Sequence, residues 1–322
     1  MKAATYERYG PPETIAIRDV PAPVPKEGEV LVRVRAASVN SWDWDLLTGN
    51  MLGRTSGLFR PRYSVLGADI AGIVEAVGPG VTRFRPGDAV MGDLSESGWG
   101  GFAQFTTAAE KFLVHKPDGL GFTDAAALPQ AGMLALQAIR KGPALGPERR
   151  VLINGAGGGV GSFAIQLAKR AGAEVTAVDH GDKLDFMRSL GADRTLDYTK
   201  ANYATAGRLQ DLVIDMVARR PTAQHARVLR PEGRFVVVGG SVPSLIGTAA
   251  IGSVISLMGK KKIGLLLYRP NAADLEELAG LAASGAIRVA VDTVYPLERT
   301  GDALRQVGEG RAKGKVVVEV SA

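Results

Sequence analysis

The chain has 322 residues, of which 46% are hydrophobic and 22% charged, and it contains no cysteine. That length allows two domains with sizeable cores, and the missing thiols exclude disulfides, thiolate metal sites and cysteine nucleophiles while fitting a reducing compartment, with the cytosol expected. With 39 bases against 33 acids the net charge is +6, scattered apart from the run Lys260-Lys261-Lys262, which argues for solubility and against a nucleic-acid partner.

The opening residues hold no apolar core of signal-peptide length. Up to about residue 120 the chain reads as strands and turns. Residues 29–40 alternate around Val30, Val32 and Val34, the pattern of a strand with one solvent face. Residues 68–78 and 87–93 are further strands, set off by Gly-Pro-Gly and Arg-Pro-Gly-Asp turns. Residues 123–141 change the rhythm to a helix with Thr123 as its N-cap. Strands at 151–154, 174–179, 194–198, 212–217 and 234–238 then alternate with helices at 160–171, 182–190 and 222–229. Such alternation builds a parallel sheet through right-handed crossovers. The apolar stretch 245–258 is shorter than the roughly 20 residues of a spanning helix. It reads as a buried or interface helix, or as a flap over a site, so no membrane partner is expected. Helices at 272–284 and 300–307 and strands within 287–297 and 313–320 complete the chain. The mixed pattern returns at this end, which implies that the chain leaves a first domain, builds a second and comes back.

Five glycines lie within Gly155–Gly161, between a strand and a helix. There they allow a tight turn and let a pyrophosphate approach backbone N–H groups at a helix N-terminus. Gly155, Ala156, Gly157, Gly158, Gly159, Val160 and Gly161 are therefore the candidate cofactor loop; two alignments of the glycine fingerprint fit equally well. Asp179 closes the second strand 18 residues after Gly161, where an acid accepts from the ribose 2′-hydroxyl of NADH. The neighbouring cations His180 and Lys183 could instead hold the 2′-phosphate of NADPH, or Lys183 could simply pair with Asp179 one turn away.

Residues 9–43, 65–92, 151–175, 189–200 and 310–320 together resemble the medium-chain dehydrogenase/reductase superfamily, and within it the zinc-free quinone oxidoreductase (zeta-crystallin-like) branch. The resemblance implies an α/β fold: a GroES-like β-rich catalytic domain at 1–123 and 269–322, with an inserted Rossmann doubly wound parallel sheet at 124–268. The nicotinamide would lie in the cleft. Zinc-dependent members carry a catalytic Cys and a Gly-His-Glu motif; here the matching stretch is Gly67-Ala68-Asp69, so no metal is expected and Asp69 reads as a structural remnant. Members of the branch place a Lys and a Tyr at Lys183 and Tyr198 against the adenosine phosphate, which leans the choice to NADP(H) over NAD(H), although Asp179 departs from the usual small polar residue.

The implied reaction is hydride transfer to a quinone or an α,β-unsaturated carbonyl, a small-molecule substrate. Asn40 and Asp43 match the branch's catalytic Asn and the Asp that follows it. Asn40 would donate to a developing enolate oxygen or cap a turn, and Asp43 would serve as a helix N-cap. Gly239 and Gly240 match the backbone at the nicotinamide end, and Trp42 and Trp44 are candidates for an apolar substrate wall. No proton donor is assigned. A homodimer through the edge of the parallel sheet is expected from the family, and a binding protein without turnover is the alternative function.

Overall fold

The structure is a computed structural model describing residues 1–51, 53–205 and 207–320; Leu52, Ala206, Ser321 and Ala322, which the expected domains include, lie outside it. The chain begins with β1 (Lys2–Thr5), β2 (Ala16–Asp19), β3 (Glu29–Val39), α1 (Ser41–Thr48), β4 (Asp69–Val77) and β5 (Ala89–Asp93). It continues through β6 (Phe105–Ala109), β7 (Leu113–His115), α2 (Phe122–Ala127) and α3 (Pro129–Arg140). There follow β8 (Arg150–Asn154), α4 (Gly159–Arg170), β9 (Glu174–Asp179), α5 (Leu184–Ser189), β10 (Arg194–Asp197), β11 (Gln210–Asp215), α6 (Thr222–Arg227) and β12 (Leu229–Val237). The last elements are α7 (Val242–Met258), β13 (Lys262–Leu265), α8 (Ala272–Ala283), β14 (Val291–Pro296), α9 (Thr300–Gly308) and β15 (Lys315–Glu319).

Two compact units result: Met1–Met133 with Pro270–Ala322, and Leu134–Arg269. The first division falls inside α3, ten residues beyond the 123/124 boundary read from the sequence. The reason is packing: α2 buries Ala125, Ala126 and Ala127 and lies on β3, β4 and β15 of the first unit. The expected continuous helix over 123–141 is two helices, because Pro129 at the head of α3 has no N–H for the preceding turn. Thr123 is not an N-cap: Gly121 holds that position and no side chain caps the helix.

The first unit is built on a sheet in the order β14-β15-β3-β4-β5-β7, with β6 paired to β3 and a separate β1-β2 ribbon. Its alternating valines behave as read: Val30, Val32 and Val34 are buried with Leu66, Ile70 and Phe102 in one core. β15, from the far end of the chain, lies antiparallel to β3, matching Val316 to Val39, while β3 on its other side matches Ser38 to Asp69 of β4. That register fixes what meets at one end of the sheet.

The second unit is a six-stranded parallel sheet in the order β10-β9-β8-β11-β12-β13. Its central strands are buried on both faces and read as unbroken apolar runs, as Val151, Leu152 and Ile153 do. The sixth strand, β13, is absent from the sequence reading. α7 covers it from outside: Ser256 Oγ accepts from Ile263 N at 2.9 Å and donates to Gly252 O at 2.7 Å. Of the readings for 245–258, the buried helix is corrected here, since only Thr248 and Gly252 of α7 are buried while Ile246, Ile251, Val254, Leu257 and Met258 are exposed. Among the described residues no helix is long and apolar enough to cross a membrane.

Ser256 therefore satisfies a backbone N–H of the terminal strand that β12 does not bond. Replacing it by alanine is expected to destabilise the second unit by about 1 kcal/mol, read as a lower midpoint in urea unfolding; an unchanged midpoint would show that water satisfies Ile263 equally well.

Candidate active site

The glycine loop sits where a helix N-terminus meets a strand end. Gly155, at φ +84°, turns the chain as β8 ends, in the left-handed region that favours glycine. Gly155 N and Ala156 N both donate to Val178 O, at 2.9 and 3.1 Å, which ties the loop to β9. Gly158 is the N-cap of α4, so the N–H groups of Gly159, Val160 and Gly161 fall in a first turn without intrahelical acceptors. A Cβ on Gly161 would lie 2.4 Å from Ala156 Cα; the absent side chain is what lets helix and loop pack. A cradle of backbone donors with no side chain over it fits a pyrophosphate.

Asp179, at the end of β9, is brought to this loop. Its Oδ2 accepts from Gly157 N at 2.8 Å and its Oδ1 from His180 N at 2.8 Å. Lys183 is 5% exposed and its Nζ lies 3.7 Å from Asp179 Oδ1. Of the two roles read for Lys183, the pairing with Asp179 is the one seen. A Cβ on Gly157 would strike the Lys183 side chain at 2.6 Å, so that glycine makes room for the lysine. His180 pairs with Asp182 through Nδ1 at 2.7 Å, and its ring is 6.0 Å from that of Tyr198, which is half exposed. Gly239 and Gly240 follow β12 beside the end of β11. A Cβ on Gly239 would be 2.8 Å from Met216 O, and one on Gly240, at φ +147°, 2.9 Å from Ala218 Cβ.

In the first unit, the β3–β4–β15 register gathers a buried polar cluster. Asp69 is 0% and Lys315 2% exposed, their Nζ–Oδ2 separation being 3.6 Å. Asn40, the N-cap residue of α1, donates from Nδ2 to Asp69 Oδ2 at 2.9 Å and accepts at Oδ1 from Lys315 Nζ at 2.5 Å. Asp69 also accepts from Ser38 Oγ at 3.0 Å and from Gln130 N at 3.0 Å. Burial raises the Asp69 carboxyl above its ordinary range against the opposing pull of Lys315, and burial lowers the Lys315 ammonium against Asp69 and Asp43. Both oxygens of Asp69 thus serve protein donors, and among the described residues no group of three potential ligands could hold a metal ion.

The N-cap role read for Asp43 is corrected in position only. Asp43 is not the N-cap but the residue three positions on, and its carboxylate accepts from Asn40 N and Gly67 N, each at 2.8 Å. Fully buried with both oxygens on backbone N–H groups, it fastens the head of α1 as the second member of a capping box. Of the tryptophans, Trp44 is partly buried, packed against the first unit's core and over Gly308, whereas Trp42 is 42% exposed. Trp42 meets Trp99 edge-on at 5.6 Å, and Tyr63 lies 6.0 Å from the same ring. Trp99 is buried with φ +66°, a costly conformation for a bulky residue.

Sequence reasoning missed Lys315 and Trp99. The signal for the first was a lysine opening an otherwise apolar strand; for the second it was a tryptophan between two glycines, Gly98 and Gly100.

Residues 26–118 match the alcohol dehydrogenase GroES-like domain, and residues 190–318 the zinc-binding dehydrogenase family. The chain is 35% identical to the chloroplast envelope quinone oxidoreductase homolog of Arabidopsis thaliana, over 99% of this chain and 98% of that protein. It belongs to the quinone oxidoreductase branch of the medium-chain dehydrogenase/reductase superfamily. Another Arabidopsis thaliana relative, the NADPH-dependent alkenal/one oxidoreductase, is 31% identical over 99% of this chain and 79% of its own. The solved quinone oxidoreductase of Coxiella burnetii superposes with a TM-score of 0.91 at 29% identity, covering 100% of this chain and 99% of that one. Membership makes the chain an NAD(P)H-dependent oxidoreductase with a GroES-like and a Rossmann-like part.

Asp43 gives this member of the superfamily a pH signature. Burial pushes its carboxyl up to about 7, against the two N–H donors that lower it. Between about pH 4 and 7 the folded chain holds a proton that the unfolded chain has released. The stabilising contribution is therefore full below about pH 4 and lost as pH rises through 7. Measured by urea unfolding, wild type is expected to lose stability relative to Asp43→Asn by a few kcal/mol, in order of magnitude, from pH 4 to 8. A difference that stays flat with pH would show that Asp43 is ionised throughout.

Proposed function

We propose that the chain is a metal-independent reductase that passes hydride from NADPH to a quinone or to the β-carbon of an α,β-unsaturated carbonyl. The observation that carries this is the glycine loop at the head of α4; the other unit by itself holds a buried amide–carboxylate–lysine cluster. The first is a dinucleotide cradle. The second holds an N–H donor of the kind a developing enolate oxygen needs.

The cofactor, bound at residues 155–161, supplies the hydride. Gly158, where a Cβ would meet only Gly155 O at 3.6 Å, leaves the loop open to a pyrophosphate, and the first turn of α4 offers it N–H groups. Asn40 donates to the substrate oxygen that gains charge, and the half-exposed Trp42, braced by Trp99, offers an apolar face for a flat conjugated ring. The proton that completes the reduction comes from solvent. Asp69 is turned to Asn40, Ser38, Gln130 and Lys315, which supports a reaction that relies on hydrogen-bond donors. Relatives named as oxidoreductases weigh against the alternative of a binding protein without turnover.

NADPH is the proposed donor because the Asp179 charge is held inward by Gly157 N, His180 N and Lys183, which reduces its repulsion of a 2′-phosphate. Fluorescence titration is expected to give NADPH a dissociation constant about tenfold below that of NADH, with the preference lost in Lys183→Ala. Tighter NADH binding would mean that Asp179 holds the ribose hydroxyl and would overturn the cofactor assignment. Gly161→Val is expected to remove binding of both. With NADPH bound, consumption on a panel of benzoquinones, naphthoquinones and enones tests the substrate class; binding without turnover on every member would refute it.

A further inference from the structure

The Asn40 side chain is clamped from both ends by groups of opposite character, and one of them comes from the far end of the sequence. Lys315 opens β15, and its Nζ lies 2.5 Å from Asn40 Oδ1 and 3.3 Å from Val39 O. On the other side Asp69 Oδ2 lies 2.9 Å from Asn40 Nδ2. The two ends of a carboxamide have nearly the same shape, so only neighbours can tell them apart. A carboxylate can only accept and an ammonium can only donate. The pair therefore admits one orientation; the flipped amide would set its oxygen against a carboxylate and its NH₂ against an ammonium.

A purely structural reading explains this poorly. A buried ion pair rarely stabilises a fold beyond what apolar residues of similar size would contribute. The strand ladder already holds β15 to β3 through Val316, Val317 and Val318, and a methionine would fill much of the lysine's path. What a methionine would not supply is a donor at Asn40 Oδ1 and a counter-charge for Asp69. Without that counter-charge the buried carboxyl would take up a proton, become a donor as well as an acceptor, and no longer discriminate between the ends of the amide.

We propose that Lys315 and Asp69 are positioning residues that lock the Asn40 amide in one of its two orientations, so that its second N–H is presented to the substrate oxygen in a fixed direction. This rests on the reading of Asn40 as the oxyanion donor. A donor aimed before the reaction needs no reorganisation when charge develops, which is where such donors gain most of their effect.

The test has an arm that does not depend on turnover. In protein labelled with ¹⁵N-asparagine, the Asn40 side-chain signals are assigned by their loss in Asn40→Ala. They are expected to form one sharp, widely split pair in wild type and to shift and broaden in both Lys315→Met and the isosteric Asp69→Asn. Signals unchanged in both variants would overturn the proposal, and either variant that folds suffices to read it. In the kinetic arm, with saturating NADPH and a quinone, Asn40→Ala is expected to lower kcat about 100-fold and Lys315→Met about 10-fold, with the dissociation constant for NADPH unchanged. In the Asn40→Ala background the Lys315→Met step is expected to cost no more than about twofold. The same loss in both backgrounds would mean that Lys315 acts independently of Asn40 and would sink the idea. Absence of turnover in wild type on every substrate would instead refute the reductase reading, and the spectroscopic arm would still decide the clamp.

Discussion

Taking a carboxylate and an ammonium out of water costs several kcal/mol for each ion before their attraction is counted. The first unit bears that cost twice over, at Asp69 and at Lys315, and the surrounding polar groups are arranged to offset it. Asp69 receives Ser38, Asn40 and Gln130 as donors; Lys315 finds Val39 O, Asn40 Oδ1 and Asp69 as acceptors. None of these partners is adjacent in sequence to the other end of the pair. They are brought into range by two neighbouring strand registers, β15 on β3 and β3 on β4, so the final strand of the chain completes a site that its first 70 residues begin. The return of the chain to its first domain is thus a requirement of the site as well as of the sheet.

The second unit resolves a different conflict. Its loop must let an anion come close, yet the strand next door ends in an acid. The backbone answers by binding the acid itself: Gly157 N and His180 N hold the Asp179 carboxylate while Lys183 lies alongside in a buried position. The α4 N-terminus is left with backbone N–H groups that have no intrahelical acceptor. Glycine at 157 is part of this arrangement, because a side chain there would displace the Lys183 stem and crowd the Asp179 carboxylate.

The parts legible in the sequence were those governed by short-range pattern. The strand–glycine–helix succession at 151–171 and the valine alternation of β3 lie within one element or across one turn, and the structure has them with ends shifted by one or two residues. The parts not legible depend on distant partners. β13 is four residues long and carries a lysine and a glycine, so periodicity had nothing to register; it is a strand because β12 offers an edge. Composition leaves α7 open between a buried helix, an interface helix and a flap, and its burial is set by the narrow contact with β13. Asn40 and Asp69 were both singled out, yet their link through Lys315 spans 275 residues, and no local rule reports a contact of that separation. Asp43 shows the same limit at short range: the sequence offers a cap, and only the fold reveals that Gly67 N claims its second oxygen.

As the proposed oxyanion donor, Asn40 would also constrain what can be reduced. A neutral amide N–H stabilises a developing oxyanion by a few kcal/mol at most, less than a Lewis-acid metal supplies to a polarised carbonyl. Asp69, at the position corresponding to a zinc-motif residue in metal-dependent relatives, has both oxygens committed to protein donors and is not free to add a ligand. A site of this strength works on acceptors whose own conjugation carries most of the charge away from the carbon that takes the hydride, as quinones and enones do. With Asn40 in that proposed role, the clamp on it would have a clear physical purpose. When one hydrogen bond supplies a large share of the available stabilisation, its direction must be fixed in advance, and a donor-only and an acceptor-only neighbour are the simplest pair of groups that can fix it.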